Sequence, residues 1–189
     1  MKRGLLIVIS GPSGVGKDTL IRRLLELDRN LTYSVSGTTR SPRPGERPDE
    51  NYTFLTRDEF EKLVAEGAFL EHASYNGNLY GTFRDRVEKA RAAGRDVVLK
   101  IDVQGAEQVR HLVHDGIFIF VVAPSEKELE RRQVERGSES EQDMAARRRI
   151  AEKELTYAAH YDFVVTNDDI ERAASEILAV IRRAREGQT

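Results

Sequence analysis

Gly11-Pro12-Ser13-Gly14-Val15-Gly16-Lys17 follows the apolar run Leu5-Leu6-Ile7-Val8-Ile9 and precedes Asp18-Thr19 and the stretch Leu20 to Leu27. This order predicts a short buried strand, a glycine-rich turn, and a helix with apolar residues Leu20, Ile21, Leu24 and Leu25 on one face. Such a unit binds phosphates. Glycines let the backbone curl so that its N–H groups converge, and the helix N-terminus adds positive partial charge. Lys17 then reaches the β- and γ-phosphates of a nucleoside triphosphate. The bland alternative is a tight turn with no ligand, and the buried strand before it and amphipathic helix after it argue against that. One position departs from the usual pattern. The residue after the lysine is ordinarily Ser or Thr, whose hydroxyl meets Mg²⁺; here it is Asp18, with Thr19 next. A carboxylate can hold Mg²⁺ directly or favour a helix N-terminus, but it repels bare phosphate. We expect its side chain to turn toward metal, water or a cation.

The chain has 189 residues, enough for one domain of ordinary size or a core with one insert. Hydrophobic residues make up 39%, enough for a real core, and charged residues 33%, as in soluble proteins. Lys plus Arg (30) nearly balance Asp plus Glu (32), which argues against a nucleic-acid coat. The absence of cysteine excludes disulfides and thiolate chemistry and suits a reducing cytoplasm. Leu5 to Ile9 is too short for a signal sequence or a membrane span, so no membrane partner is expected.

Tyr33-Ser34-Val35-Ser36 reads as a second strand. The next stretch, Gly37 to Pro48, holds three prolines, two glycines and three arginines, and is expected as an irregular surface loop. Any one of these arginines alone suits solvent. Arg40 and Arg43 together, beside Thr38, Thr39 and the later tyrosines, suit an anion. Tyr52-Thr53-Phe54-Leu55 is strand-like, Thr56 and Glu59 form a capping box, and Asn76-Gly77 signals a hairpin. Seven of the thirteen aromatics lie between residues 37 and 95, which suggests a small mixed subdomain with its own cleft. Tyr52 and Tyr80 are better ligand candidates there than the core-type phenylalanines. A helix from Arg84 to Ala93 leads to the buried strand Asp96 to Asp102. Ligands gather at the carboxyl ends of such strands, so Asp102 should face the phosphate loop, acting on Mg²⁺ or its waters, as a helix N-cap, or both. Ile117 to Val122 is another buried strand. Ser125 and Glu128 offer a second capping box ahead of a charged helical hairpin, Glu126 to Glu154, interrupted at residues 136–140. Arg132, Arg136 and Arg147 sit at or near that break, where a lid would hinge. Phe163 to Val165 is a last strand, and Ile170, Ala173, Ala174, Ile177, Leu178 and Ile181 draw one apolar stripe on a final helix.

Over essentially its whole length the chain resembles the guanylate kinases. The resemblance rests on Gly11 to Lys17, on Ser34-Val-Ser-Gly-Thr-Thr-Arg-Ser-Pro-Arg-Pro-Gly-Glu46, and on Tyr52-Thr-Phe54. It continues through Glu71, Gly77-Asn-Leu-Tyr-Gly-Thr82, Ile101-Asp-Val-Gln-Gly105, Arg136-Gly137 and Asn167-Asp-Asp169. It implies an α/β fold: a phosphate-loop parallel sheet flanked by helices, an inserted mixed α/β GMP-binding subdomain, and a helical lid. Residues 1–36, 94–125 and 160–189 would form the core, 37–93 the GMP-binding subdomain, and 126–159 the lid and its connecting helices. By similarity Arg40, Arg43, Tyr52 and Tyr80, with Glu46 in the same loop, would hold the phosphate of GMP. Ser36, Glu71, Thr82 and Asp102 would surround guanine. Residues 11–19 (Gly11, Pro12, Ser13, Gly14, Val15, Gly16, Lys17, Asp18 and Thr19) would bind ATP together with Arg136 and Asn167. Lys17, Arg40, Arg132, Arg136 and Arg147 would carry catalysis.

The implied reaction is ATP plus GMP giving ADP and GDP, with dGMP as a second acceptor and Mg²⁺ held by Asp18 or Thr19 and Asp102, directly or through water. Guanine's adjacent N1–H and N2–H can share one carboxylate, and adenine offers no such pair. Two alternatives remain: a guanylate-kinase-like module that binds a phosphorylated peptide, and a kinase for another nucleoside monophosphate. A second departure falls at Lys100, where the family pattern implies an acid. Acid at 18 and base at 100 invert the usual arrangement, and we expect the two side chains to pair.

Overall fold

A computed structural model describes residues 2–135 and 155–187. β1 (Leu6–Ser10) is buried along its whole length, which is why it reads as an unbroken apolar run instead of an alternating one. Its side chains divide between two layers. Ile7 and Ile9 enter a cluster with Leu20, Leu24, Ala174, Ile177 and Ile181, and Leu6 and Val8 enter another with Val87, Leu99 and Val109. Helices α1 (Lys17–Leu27) and α6 (Ile170–Gly187) cover the first face. Helices α3 (Arg84–Ala92) and α4 (Val103–Leu112) cover the second.

Around β1 lie β2 (Leu31–Tyr33), β7 (Asp96–Lys100), β8 (Gly116–Val122) and β9 (Phe163–Thr166). The order is β2-β7-β1-β8-β9 and every pairing is parallel. The carboxyl ends of β1, β7 and β8 therefore open on one crevice, where ligands of open α/β sheets bind.

A second sheet runs β4-β3-β6-β5, from β3 (Gly37–Thr38), β4 (Thr53–Phe54), β5 (Phe69–Tyr75) and β6 (Asn78–Phe83). Helix α2 (Arg57–Ala65) opens with the expected capping box from Thr56 and Glu59, and its Phe60 stacks on Phe69 at 4.5 Å between ring centroids. Asn76 and Gly77 take left-handed φ angles of 47° and 75° at the tip of the β5–β6 hairpin. Helix α4 joins this sheet to the first: Gln108 Oε1 accepts from the His72 N–H at 3.2 Å, and its Nε2 donates to the His72 carbonyl at 2.8 Å.

Three local expectations are corrected. The strand expected over Tyr33 to Ser36 lies earlier, at Leu31–Tyr33: its pairing stops at Tyr33 opposite Val98 although β7 continues to Lys100, and the chain leaves for the second sheet, which it enters at Gly37. Gly37 and Thr38, expected as loop, form β3, held by pairing with Gly81 and Tyr80 far along the chain. At the start of α5 (Glu126–Glu135) only half of the second capping box forms. Ser125 Oγ accepts from the Glu128 N–H at 3.1 Å, but the Glu128 carboxylate turns to Arg131 and Arg132. Arg136, Arg147 and the break at 136–140 lie outside the described residues.

Candidate active site

The turn after β1 needs its glycines for space as well as for conformation. Gly11 and Gly16 have φ of 144° and 94°. A Cβ on Gly11 would strike the Val121 carbonyl, and one on Gly16 would strike Asn167 Nδ2. Asn167, 6% exposed, donates through Nδ2 to the Val15 carbonyl at 2.8 Å and so braces the loop from behind. Arg132 lies against the same place, donating to the Asn167 carbonyl at 3.1 Å, with Glu128 accepting from its Nε at 2.7 Å. Gln133 Nε2 reaches the Ser13 carbonyl at 2.8 Å. Lys17 Nζ donates to the Gly11 and Pro12 carbonyls, the latter at 3.0 Å. Thr19 is exposed in the first turn of α1.

A second group gathers where the loop after β3 meets Tyr52 and β6. Arg40 Nη2 donates to both oxygens of Glu46, at 2.8 and 2.9 Å, and the Arg43 N–H donates to Glu46 Oε2 at 2.7 Å. The Arg40 guanidinium carbon lies 5.4 Å from the centre of the Tyr52 ring, and Tyr52 meets Tyr80 edge-on at 5.9 Å. Burial opposes the charges of Arg40 and Glu46, yet their mutual hydrogen bonds and attraction, with the Arg43 N–H on Glu46, together outweigh it. Arg40 stays above its ordinary range and Glu46 below. Glu46 thus holds Arg40 in place, while the Arg43 side chain is exposed.

The third group lies at the seam between the sheets. Glu71 on β5 is 4% exposed and accepts from Thr82 Oγ1 at 2.5 Å. Burial pushes its carboxyl up to about 7; Thr82 opposes this and the charge of Asp102 adds to it. Asp102 caps α4, its Oδ1 accepting from the Gly105 N–H at 2.8 Å. Burial raises the Asp102 carboxyl above the ordinary range, against the pull of backbone N–H groups and the Lys17 charge. A Cβ on Gly105 would collide with the Glu71 carboxylate, so this glycine makes room for that acid. Ser36 is buried between β2 and β3, and its carbonyl accepts from the Thr53 N–H at 2.9 Å.

Between the first two groups, Lys100 Nζ donates to Asp18 Oδ1, so the two departures from the expected pattern pair with each other. All four histidines (His72, His111, His114 and His160) are exposed. Gln133, Gln108 and the role of Gly105 escaped the sequence reading, because each acts on a residue remote in the chain and none belongs to a local pattern.

Chemically, the arrangement offers a glycine-turned loop at a helix N-terminus with a lysine, a cation–tyrosine cluster that fits phosphate, and a buried carboxylate suited to paired N–H donors. Comparison with known proteins agrees. A family model described as guanylate kinase matches residues 3–184. The guanylate kinase of Rubrobacter xylanophilus is 50% identical over 183 residues, covering 97% of this chain and 96% of that one. That of Clostridium perfringens (strain SM101 / Type A) is 48% identical over 179 residues, covering 95% and 83%. A crystal structure of guanylate kinase from Anaplasma phagocytophilum superposes with a TM-score of 0.82 at 34% identity, covering 97% of this chain and 87% of that one.

Proposed function

The chain belongs to the guanylate kinase family and transfers the γ-phosphoryl group of ATP to GMP, and from this premise we propose how its residues divide that work. The observation that carries the assignment is Glu71, a buried carboxylate with room kept for it by Gly105. It accepts the N1–H and N2–H of guanine. With adenine in its place the buried acid would keep its bond from Thr82 but lose both guanine donors, which is how the site rejects AMP. Thr82, Ser36 and Asp102 complete the guanine pocket. Arg40, Tyr52 and Tyr80 hold the GMP phosphate, with Arg43 swinging in from solvent and Glu46 keeping Arg40 oriented. The acceptor is GMP, with dGMP as a second one.

Residues 11–19 wrap the phosphates of ATP, and Asn167 supports the loop from behind. The attacking oxygen of GMP is already anionic, so no general base is needed, and catalysis consists of positioning and charge neutralisation. Lys17, Arg40 and Arg132 supply positive charge, joined by Arg136 and Arg147 from a lid formed by residues 126–159. Residues 37–93 act as the GMP-binding unit on a core of 1–36, 94–125 and 160–189. Closure of these parts excludes the water that would otherwise hydrolyse ATP.

Kinases of this kind typically use ATP with Mg²⁺. Among the described residues no cluster of three or more His, Cys, Asp or Glu side chains could hold a metal alone. Asp18, Thr19 and Asp102 offer hard oxygen donors, the chemistry Mg²⁺ takes when one or two protein oxygens join nucleotide phosphates. Asp18 Oδ1 is held by Lys100, so the donor chemistry fits as Asp18 or Thr19 with Asp102, directly or through water, and a bound ion would neutralise charge on the nucleotide phosphates. Among the described residues no helix is long and apolar enough to cross a membrane. With no cysteine and with nucleotide substrates, we place the protein in the cytoplasm.

The test is ADP formation with ATP, Mg²⁺ and GMP, beside AMP, CMP, UMP and dTMP. Turnover restricted to GMP and dGMP supports the reading; equal turnover with AMP overturns the role of Glu71.

A further inference from the structure

Lys100 ends β7 opposite Ile9 of β1, beside the point where the phosphate loop begins. Its Nζ donates to Asp18 Oδ1 in the first turn of α1 and stands 5.2 Å from the centre of the Tyr52 ring. That ring has Arg40 as its other cationic neighbour. One tyrosine therefore carries a cation from the central sheet and another from the loop after β3. Each cation is balanced by one acid, Arg40 by Glu46 and Lys100 by Asp18.

The Asp18–Lys100 pair is lopsided. The Lys100 side chain is 16% exposed and that of Asp18 is 60% exposed. Burial works against the charge on Lys100, but Tyr33, Tyr52 and Asp18 more than offset it and hold the ammonium above its ordinary range. A pair that strips water from a cation and leaves the anion screened gains little stability from the contact. A fixed, largely desolvated charge at the carboxyl end of a strand, between a phosphate loop and an arginine–tyrosine cluster, is instead suited to an incoming anion.

We propose that Lys100 contacts the acceptor phosphate, and that Asp18 is a holding partner which it leaves when that phosphate arrives. The inference rests on Arg40, Tyr52 and Tyr80 being the seat of the GMP phosphate. A phosphate near neutral pH carries more charge and more acceptor oxygens than one carboxylate, so it outcompetes Asp18 for the ammonium. While paired, Asp18 also neutralises Lys100 and keeps other anions from settling there. The two partners of this ion pair therefore have opposite effects on the acceptor. A pair that only held the fold together would give effects of the same sign.

The experiment is calorimetric titration with GMP and with guanosine, in EDTA and without ATP, on the unaltered chain, Lys100→Met and Asp18→Asn. Loss of one charged contact corresponds to about a tenfold weaker affinity, and that is expected for GMP with Lys100→Met. Asp18→Asn should bind GMP several-fold more tightly, because the ammonium has lost its competitor. Guanosine, which lacks the phosphate, should bind all three chains equally, which also shows that the variants are folded. The proposal is overturned by unchanged GMP affinity in Lys100→Met, by an Asp18→Asn affinity no higher than that of the unaltered chain, or by a parallel fall for guanosine. An unaltered chain that binds guanosine no more weakly than GMP would overturn the phosphate seat itself, and this inference with it.

Discussion

Thr82 Oγ1 donates a 2.5 Å hydrogen bond to Glu71 Oε1 across the β5–β6 pairing, at a carboxyl that burial has raised to about 7. The folded chain therefore keeps a proton on Glu71 between about 4.5, where the unfolded carboxyl titrates, and about 7. The stability this contributes is fully present below the lower value and lost as pH rises through the upper one. Glu71→Gln keeps an acceptor for Thr82 and carries no charge. The ligand-free variant is expected to melt a few degrees above the unaltered chain at pH 8, with the difference shrinking toward pH 5. Binding has the opposite slope, because only the carboxylate accepts two guanine donors. Guanosine affinity should fall about tenfold from pH 8 to pH 6, as follows from a group titrating near 7.

Glu71→Gln should also loosen base choice. A glutamine offers one acceptor and one donor, which matches adenine's N6–H and N1 better than guanine's two donors. The ratio of kcat/KM for GMP over AMP is expected to drop by about 10²-fold. A ratio that stays put would mean that another group reads the base.

Gly105→Ala places a methyl group against the Glu71 carboxylate. The helix itself tolerates alanine better than glycine, so the damage should be confined to the guanine pocket. Titrations should show weaker GMP and guanosine binding, while the KM for ATP stays near that of the unaltered chain.

Lys17→Ala removes the cation that would follow charge on the transferring group. Losses of about 10²–10³ in kcat are typical for one such electrostatic contact. GMP affinity measured without ATP should be unchanged, since Lys17 lies on the loop side of the crevice.

Asn167→Ala removes the 2.8 Å donor of the Val15 carbonyl and leaves it the weaker 3.4 Å contact from Arg132 Nη1. A fully unsatisfied buried group costs about 1–3 kcal/mol, and this partial loss falls at the lower end. Thermal melting should fall accordingly, and the KM for ATP should rise while guanosine binding holds. That split separates loop support from a general loss of fold.

The central sheet was legible because its strands are buried on both faces and its helices are amphipathic, so Leu6 to Ser10 and Ile170 to Ile181 announce themselves locally. The Asn76-Gly77 hairpin and the Thr56–Glu59 capping box are likewise local devices. β3 was not legible. Gly37 and Thr38 have little intrinsic preference for a strand, and what makes them one is pairing with Gly81 and Tyr80. The Lys100–Asp18 pair could be anticipated because the charges at the two positions are inverted relative to the family pattern. The Gln133–Ser13 and Asn167–Val15 contacts could not be read as loop supports, because nothing near either side chain in sequence says which carbonyl it will find.

Gln108 has a consequence for how copies of this chain behave toward one another. β5 is the last strand of its sheet, so its outer N–H and C=O groups could template a strand from another molecule. By accepting from the His72 N–H and donating to the His72 carbonyl, the amide of Gln108 occupies that edge as a neighbouring peptide group would. One glutamine on a helix thus serves as a stopper against edge-to-edge growth, and Gln108→Ala should self-associate in light scattering at concentrations where the unaltered chain does not.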